Sequence, residues 1–105
     1  MHFAASGVAR FFLGTKMEAF RGRGNNDFMQ SHDLEDFIAV IEGRETVVEE
    51  IAKSPRELRH YLANAAQALL AESRFREVLP GFVIDHERVP LVEDRLAAIG
   101  VLLPS

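Results

Sequence analysis

Between Ser54 and Leu70 the sequence has little choice but to be helical. Ser54-Pro55-Arg56-Glu57 combines a capping serine, a proline suited to the first helical position, and a glutamate three residues after the cap. Leu58, Tyr61, Leu62, Ala65, Ala66, Leu69 and Leu70 then recur at spacings of three and four, which puts them on one stripe. The alanines in that stripe let a neighbouring helix approach closely. The pattern runs on toward Leu79, where Pro80-Gly81 interrupts it. A helix this long and one-sided needs cover, and most of the remaining chain offers further helices.

Upstream, Ser6 is a cap candidate for a first helix with Val8, Phe11, Phe12, Thr15, Ala19 and Phe20 on its apolar face, ending at the turn-forming run Arg21-Gly22-Arg23-Gly24-Asn25-Asn26. Ser31 caps a second helix whose first turn carries Asp33, Glu35 and Asp36, where the helix dipole favours negative charge. Leu34, Phe37, Ile38 and Ile41 form its stripe, and Gly43 is placed to close it in a left-handed conformation. Thr46-Val47-Val48-Glu49 has capping-box spacing for a short third helix. After Pro80-Gly81, Phe82-Val83-Ile84 is β-branched and aromatic but too isolated to imply a sheet, so it is expected to be an ordered loop. A last helix runs from Val89 or Pro90 to Ile99, with Leu91, Val92, Leu96 and Ile99 inward and Gly100 at its end. The expectation is an all-α, single small bundle of about five helices, with residues 1–105 as one domain.

Composition removes several function classes. With no cysteine there is no disulfide framework, thiolate metal site or cysteine nucleophile, and a reducing, cytoplasmic setting fits best. Arg10 and Lys16 break the apolar amino-terminal stretch, so no signal peptide is expected. No window approaches the roughly 20 apolar residues of a membrane span. A net charge of −4 argues against a surface that is basic all over, leaving only a local patch for RNA or nucleotide phosphates.

The candidate chemistry lies in Phe12-Leu13-Gly14-Thr15-Lys16-Met17-Glu18-Ala19-Phe20-Arg21-Gly22-Arg23-Gly24, then Asp27-Phe28 and Ser31-His32-Asp33-Leu34-Glu35-Asp36. Over roughly the first 45 of the 105 residues, the chain resembles the later motifs of the minimal nucleotidyltransferase family that includes AbiEii/AbiGii toxin-like proteins. In that family a helix carrying a lysine and an arginine precedes a loop, and the next helix opens with two aspartates three apart. The resemblance implies nucleotide-binding roles for Lys16, Arg23, Asp33 and Asp36, with Mg2+ and a nucleoside triphosphate as ligands. It also implies that this chain is the carboxyl-terminal helical half of a nucleotidyltransferase-like fold. The family's glycine-rich turn and strand-borne Asp-x-Asp pair, which hold its catalytic metals, have no counterpart in this sequence. Catalysis by this chain alone is therefore not expected.

Taken by themselves, Asp33 and Asp36 are three apart on a helix, so both carboxylates can face one side and hold a hard cation, or simply remain solvated first-turn acids. Arg10, Lys16, Arg21 and Arg23 can line a phosphate-binding edge beside the glycine-rich loop, or form an ordinary solvated face. His2, His32, His60 and His86 lack metal-ligand spacing, and the phenylalanines have the helical spacing of a core. Three functions remain, the last in rank being binding of an RNA or nucleotide phosphate through the Arg10 to Arg23 patch. The first is a non-catalytic helical interaction module, with a homo-oligomer such as a dimer as its simplest form, because Phe3, Val8, Phe11, Phe12, Met17 and Phe20 exceed what short helices readily cover. The alternative is a split or truncated nucleotidyltransferase subunit that lends contacts to a site completed by a companion chain carrying the missing catalytic half.

Overall fold

Leu34, Phe37, Ile38 and Ile41 are all fully buried, as their spacing on the second helix requires. The structure is a computed structural model that describes residues 3–22 and 32–102, and its regular elements there are all helical. They are α1 (Phe3–Gly22), α2 (His32–Gly43), α3 (Val47–Ala52), α4 (Arg56–Ala71), α5 (Ser73–Phe82) and α6 (Val89–Gly100), with a 3-10 turn, His86–Arg88, leading into α6. Among the described residues there are thus six α-helices where the sequence suggests about five. Ser31, expected to cap α2, and Arg23 lie outside the described residues.

The extra helix comes from a break at Glu72. The apolar pattern extends from Leu58 toward Leu79, but Glu72 turns to extended backbone (φ −91°, ψ 111°) and the chain restarts as α5. The change of direction brings Phe75 and Leu79 fully into the core, while Glu72 stays in solvent. Pro80 and Gly81 do not end this helix; both lie in its last turn. A proline there removes one late hydrogen bond instead of interrupting a long ladder, and Val83 leaves the helix extended (φ −115°, ψ 117°) and buried.

Three expected caps are replaced by tertiary or cross-turn bonds. Ser54 is 4% exposed, and its hydroxyl donates back to the Glu50 carbonyl at 3.0 Å, so Pro55 occupies the residue before α4. The Thr46 hydroxyl donates to Glu50 Oε2 at 2.6 Å instead of capping a backbone amide. Arg44 Nε donates to both oxygens of the same carboxylate at 2.7 and 2.9 Å. Gly43 remains the last helical residue of α2 without a left-handed φ. The open carbonyls at that helix end are met from across the bundle. Arg95 Nη1 donates to the Ile41 and Glu42 carbonyls at 2.8 Å each, and Arg88 donates to the Glu42 carbonyl at 2.9 Å while pairing with the Glu42 carboxylate. Guanidinium groups thus satisfy acceptors that a glycine cap would otherwise cover.

α4 packs most extensively on α6, as the alanines of its stripe allow. Gln67 Nε2 donates to the Gly100 carbonyl at 2.6 Å, and a Cβ on Gly100 would stand 3.0 Å from Gln67 Cγ. A side chain at that crossing would require Gln67 to give way by a few tenths of an ångström. Buried residues from all six helices join in one continuous cluster. Among the described residues no helix is long and apolar enough to cross a membrane.

The first helix is rotated from its expected setting. Ala9, Leu13 and Met17 are buried, whereas Phe11 (56% exposed), Phe12 (37%) and Thr15 face outward. Both stripes have four-residue spacing, so periodicity alone cannot choose between them. The packing decides: Leu13 and Met17 join the main cluster, and Gly14 lies where an added Cβ would meet Leu58 Cδ1 of α4 at 3.1 Å.

Candidate functional site

Helices α1 and α2 pack side by side, and this brings Lys16 to the first turn of α2. Its ammonium lies 2.9 Å from Asp36 Oδ2 and 3.5 Å from Asp33 Oδ1. Two aspartates three apart on a helix share one side, so a single lysine from the neighbouring helix reaches both. The hydrogen bond to Asp36 raises the Lys16 pKa; partial burial opposes it, and the charges of Asp36 and Asp33 add to the rise. Lys16 also lies over the Phe12 ring, 5.3 Å from its centroid.

Three of the four residues assigned to nucleotide binding, Lys16, Asp33 and Asp36, therefore converge, and the fourth, Arg23, lies outside the described residues. The other cations of the suggested phosphate edge have their own surroundings. Arg10 lies 5.7 Å over the Phe11 ring, and its buried Nε has no hydrogen-bond partner among the described residues. Arg21 sits 5.3 Å over the Tyr61 ring on α4. His32 faces Glu35 at 3.5 Å on the surface.

A magnesium ion prefers near-octahedral coordination by oxygen, with water completing a site built on one or two carboxylates. Asp33 and Asp36 can supply two carboxylates, but the Lys16 ammonium already lies between them as counter-ion and would have to leave. Among the described residues no group of three or more histidine, aspartate or glutamate side chains is placed to hold a metal. The cluster as it stands is an ion-pair clasp between two helices, and no chemical step follows from it.

A second feature has no signature in any one segment of the sequence. Where α1 crosses α4 there is an open groove of about 350 Å³ lined by Phe11, Gly14, Thr15, Glu18, Glu57, Leu58 and Tyr61. A Cβ on Gly14 would come within 3.1 Å of Leu58 Cδ1 at the crossing, while Glu18 and Glu57 are exposed and form no ion pair among the described residues. The Tyr61 hydroxyl is buried without a hydrogen bond of normal geometry, and burial pushes its pKa up. Helical spacing assigns Tyr61 to the core, and it is only partly buried there. The one available clue is that α1 carries apolar residues around most of its circumference, leaving one side in excess whichever face packs inward.

No protein family, curated protein or solved structure was found to match this chain.

Proposed function

We propose that this chain is a non-catalytic helical interaction module that pairs with a second copy of itself through the outer face of α1. The observation that carries this is the outward placement of Phe11 and Phe12, two adjacent large apolar side chains on a helix whose other side already fills the core. Contiguous exposed apolar surface is a mark of contact sites, and aromatic side chains are enriched at their centres. Sedimentation velocity at micromolar concentration is expected to show a reversible dimer, and Phe11→Ser with Phe12→Ser is expected to give a monomer of unchanged helicity. A wild-type chain that stays monomeric throughout would falsify the assignment.

A second function draws support from the convergence of Lys16, Asp33 and Asp36 at the α1–α2 packing. In it the chain descends from a nucleotidyltransferase-like protein and contributes these three residues to a site whose metal-binding strands come from a companion chain. Calorimetric titration with magnesium and a nucleoside triphosphate distinguishes it. Heat should appear only after a companion bearing an Asp-x-Asp strand pair is added, and should fall when Lys16 is replaced by methionine. Silence in the presence of that companion would remove this function and leave the first untouched.

A further inference from the structure

The two phenylalanines that α1 turns outward are each set against a cation, and each cation is tied to a different neighbouring helix. Lys16 lies one turn after Phe12, with its ammonium 5.3 Å from the centroid of that ring. The same ammonium reaches Asp36 Oδ2 at 2.9 Å and Asp33 Oδ1 at 3.5 Å on α2. Arg10 is half-buried, and its guanidinium stands 5.7 Å from the centroid of the Phe11 ring. Its charge also bears on Glu50 of α3, a carboxylate whose side chain is only 10% exposed. Burial raises the pKa of that carboxyl, and hydrogen bonds from Arg44 and Thr46, then the charges of Arg44 and Arg10, more than reverse the rise.

An exposed phenylalanine exchanges between rotamers on the picosecond to nanosecond scale, and stilling it at an interface costs binding free energy. A cation fixed over the ring removes part of that cost beforehand. We infer that Arg10 and Lys16 are positioning residues of the α1 contact face, each bracing one outward phenylalanine against a carboxylate of a neighbouring helix so that the ring is set before a second copy arrives. This rests on the dimer proposed above and adds how its contact face is held in the monomer. It gives the Lys16–Asp33–Asp36 clasp a task within the dimer, and it joins Glu50 to the same face through Arg10.

Arg10→Met and Lys16→Met keep an unbranched stem and remove the charge. Each should weaken dimerisation roughly threefold by sedimentation, and the two together roughly tenfold, with unchanged helicity. Arg10→Lys and Lys16→Arg, which keep a cation, should retain most of the affinity. The bracing acts through the rings, so Lys16→Met should add no further loss to a Phe12→Leu chain, and Arg10→Met none to a Phe11→Leu chain. A dimer that both methionine replacements leave unchanged, or that they weaken equally once leucine stands in place of the rings, overturns the bracing and leaves the dimer intact. A loss as large with the conservative swaps as with methionine does the same. A chain that sediments as a monomer at every concentration overturns the dimer and the bracing together.

Discussion

The carboxyl end of α2 and the outer face of α1 are closed in opposite ways. At the end of α2, carbonyls that the helix leaves open are met by Arg88 and Arg95, whose positions are 46 and 54 residues further along the chain. On the outer face of α1 two phenylalanines are left to solvent, although the inner face of the same helix is packed by Leu13 and Met17. One region is completed by the chain's own distant residues and the other is not. Unmet polar groups inside a fold cost stability at once, which favours answering them within the chain. Exposed apolar surface is tolerated by the monomer and can wait for a second molecule.

The contrast predicts that changes at the α2 end act on stability, and changes on the α1 face act on association. Arg95→Ala should have the largest effect. It removes the side-chain donor to the Ile41 carbonyl and one of the two donors to Glu42, and is expected to cost about 2–3 kcal/mol. A lower urea midpoint with an unchanged slope would show it, and a midpoint equal to wild type would mean that water already serves those carbonyls.

Gly100→Ala tests the same internally closed side of the molecule at the α4–α6 crossing. The added methyl carbon would stand 3.0 Å from Gln67 Cγ and disturb the bond from Gln67 to the Gly100 carbonyl. Overpacking outweighs the gain in helix propensity, for a net loss of about 1–2 kcal/mol by thermal or urea unfolding. Unchanged or increased stability would show that Gln67 moves aside freely.

Two pH limits separate the ion pairs. Burial alone would raise the Glu50 pKa, but hydrogen bonds from Arg44 and Thr46 outweigh it and hold the carboxyl below its ordinary value of 4.5. A depressed carboxyl pKa contributes stability above the unfolded value, and that contribution is lost as pH falls through the folded one. Lys16 is shifted upward from 10.5, so its contribution is fully present below that value and is lost as pH climbs past the folded pKa. Replacing Glu50 by glutamine should flatten the acid limb of a stability profile, and replacing Lys16 by methionine should flatten the alkaline limb. The opposite assignment of limbs would refute both.

How much of the fold is legible in the sequence depends on how many faces of a segment can pack. α2 has one apolar stripe, so spacing alone names Leu34, Phe37, Ile38 and Ile41 as core. Asp33 and Asp36, three apart beside that stripe, are recognisable as a pair, although their partner Lys16 comes from another helix. α1 has two stripes of equal spacing, and only its packing against α2 and α4 selects Leu13 and Met17 over Phe11 and Thr15. Ser54 and Thr46 have the right spacing for caps, but a tertiary or cross-turn acceptor wins each hydroxyl. The α1–α4 groove is out of reach for the same reason, since its walls come from segments far apart in the chain.

Phe11→Ser is the smallest predicted change in the stability of the monomer and the one that divides the two regions most cleanly. Phe11 is more than half exposed, so its replacement should alter monomer unfolding by less than about 0.5 kcal/mol. The same substitution should weaken the dimer, because it removes the more exposed of the two aromatic side chains on the proposed contact face. Unfolding is best measured at a concentration low enough to hold the wild type as monomer, since a dimer adds stability by mass action and would hide the distinction. A loss of several kcal/mol under those conditions would mean that Phe11 supports its own fold, and α1 would then belong with the end of α2 as a region the chain completes by itself.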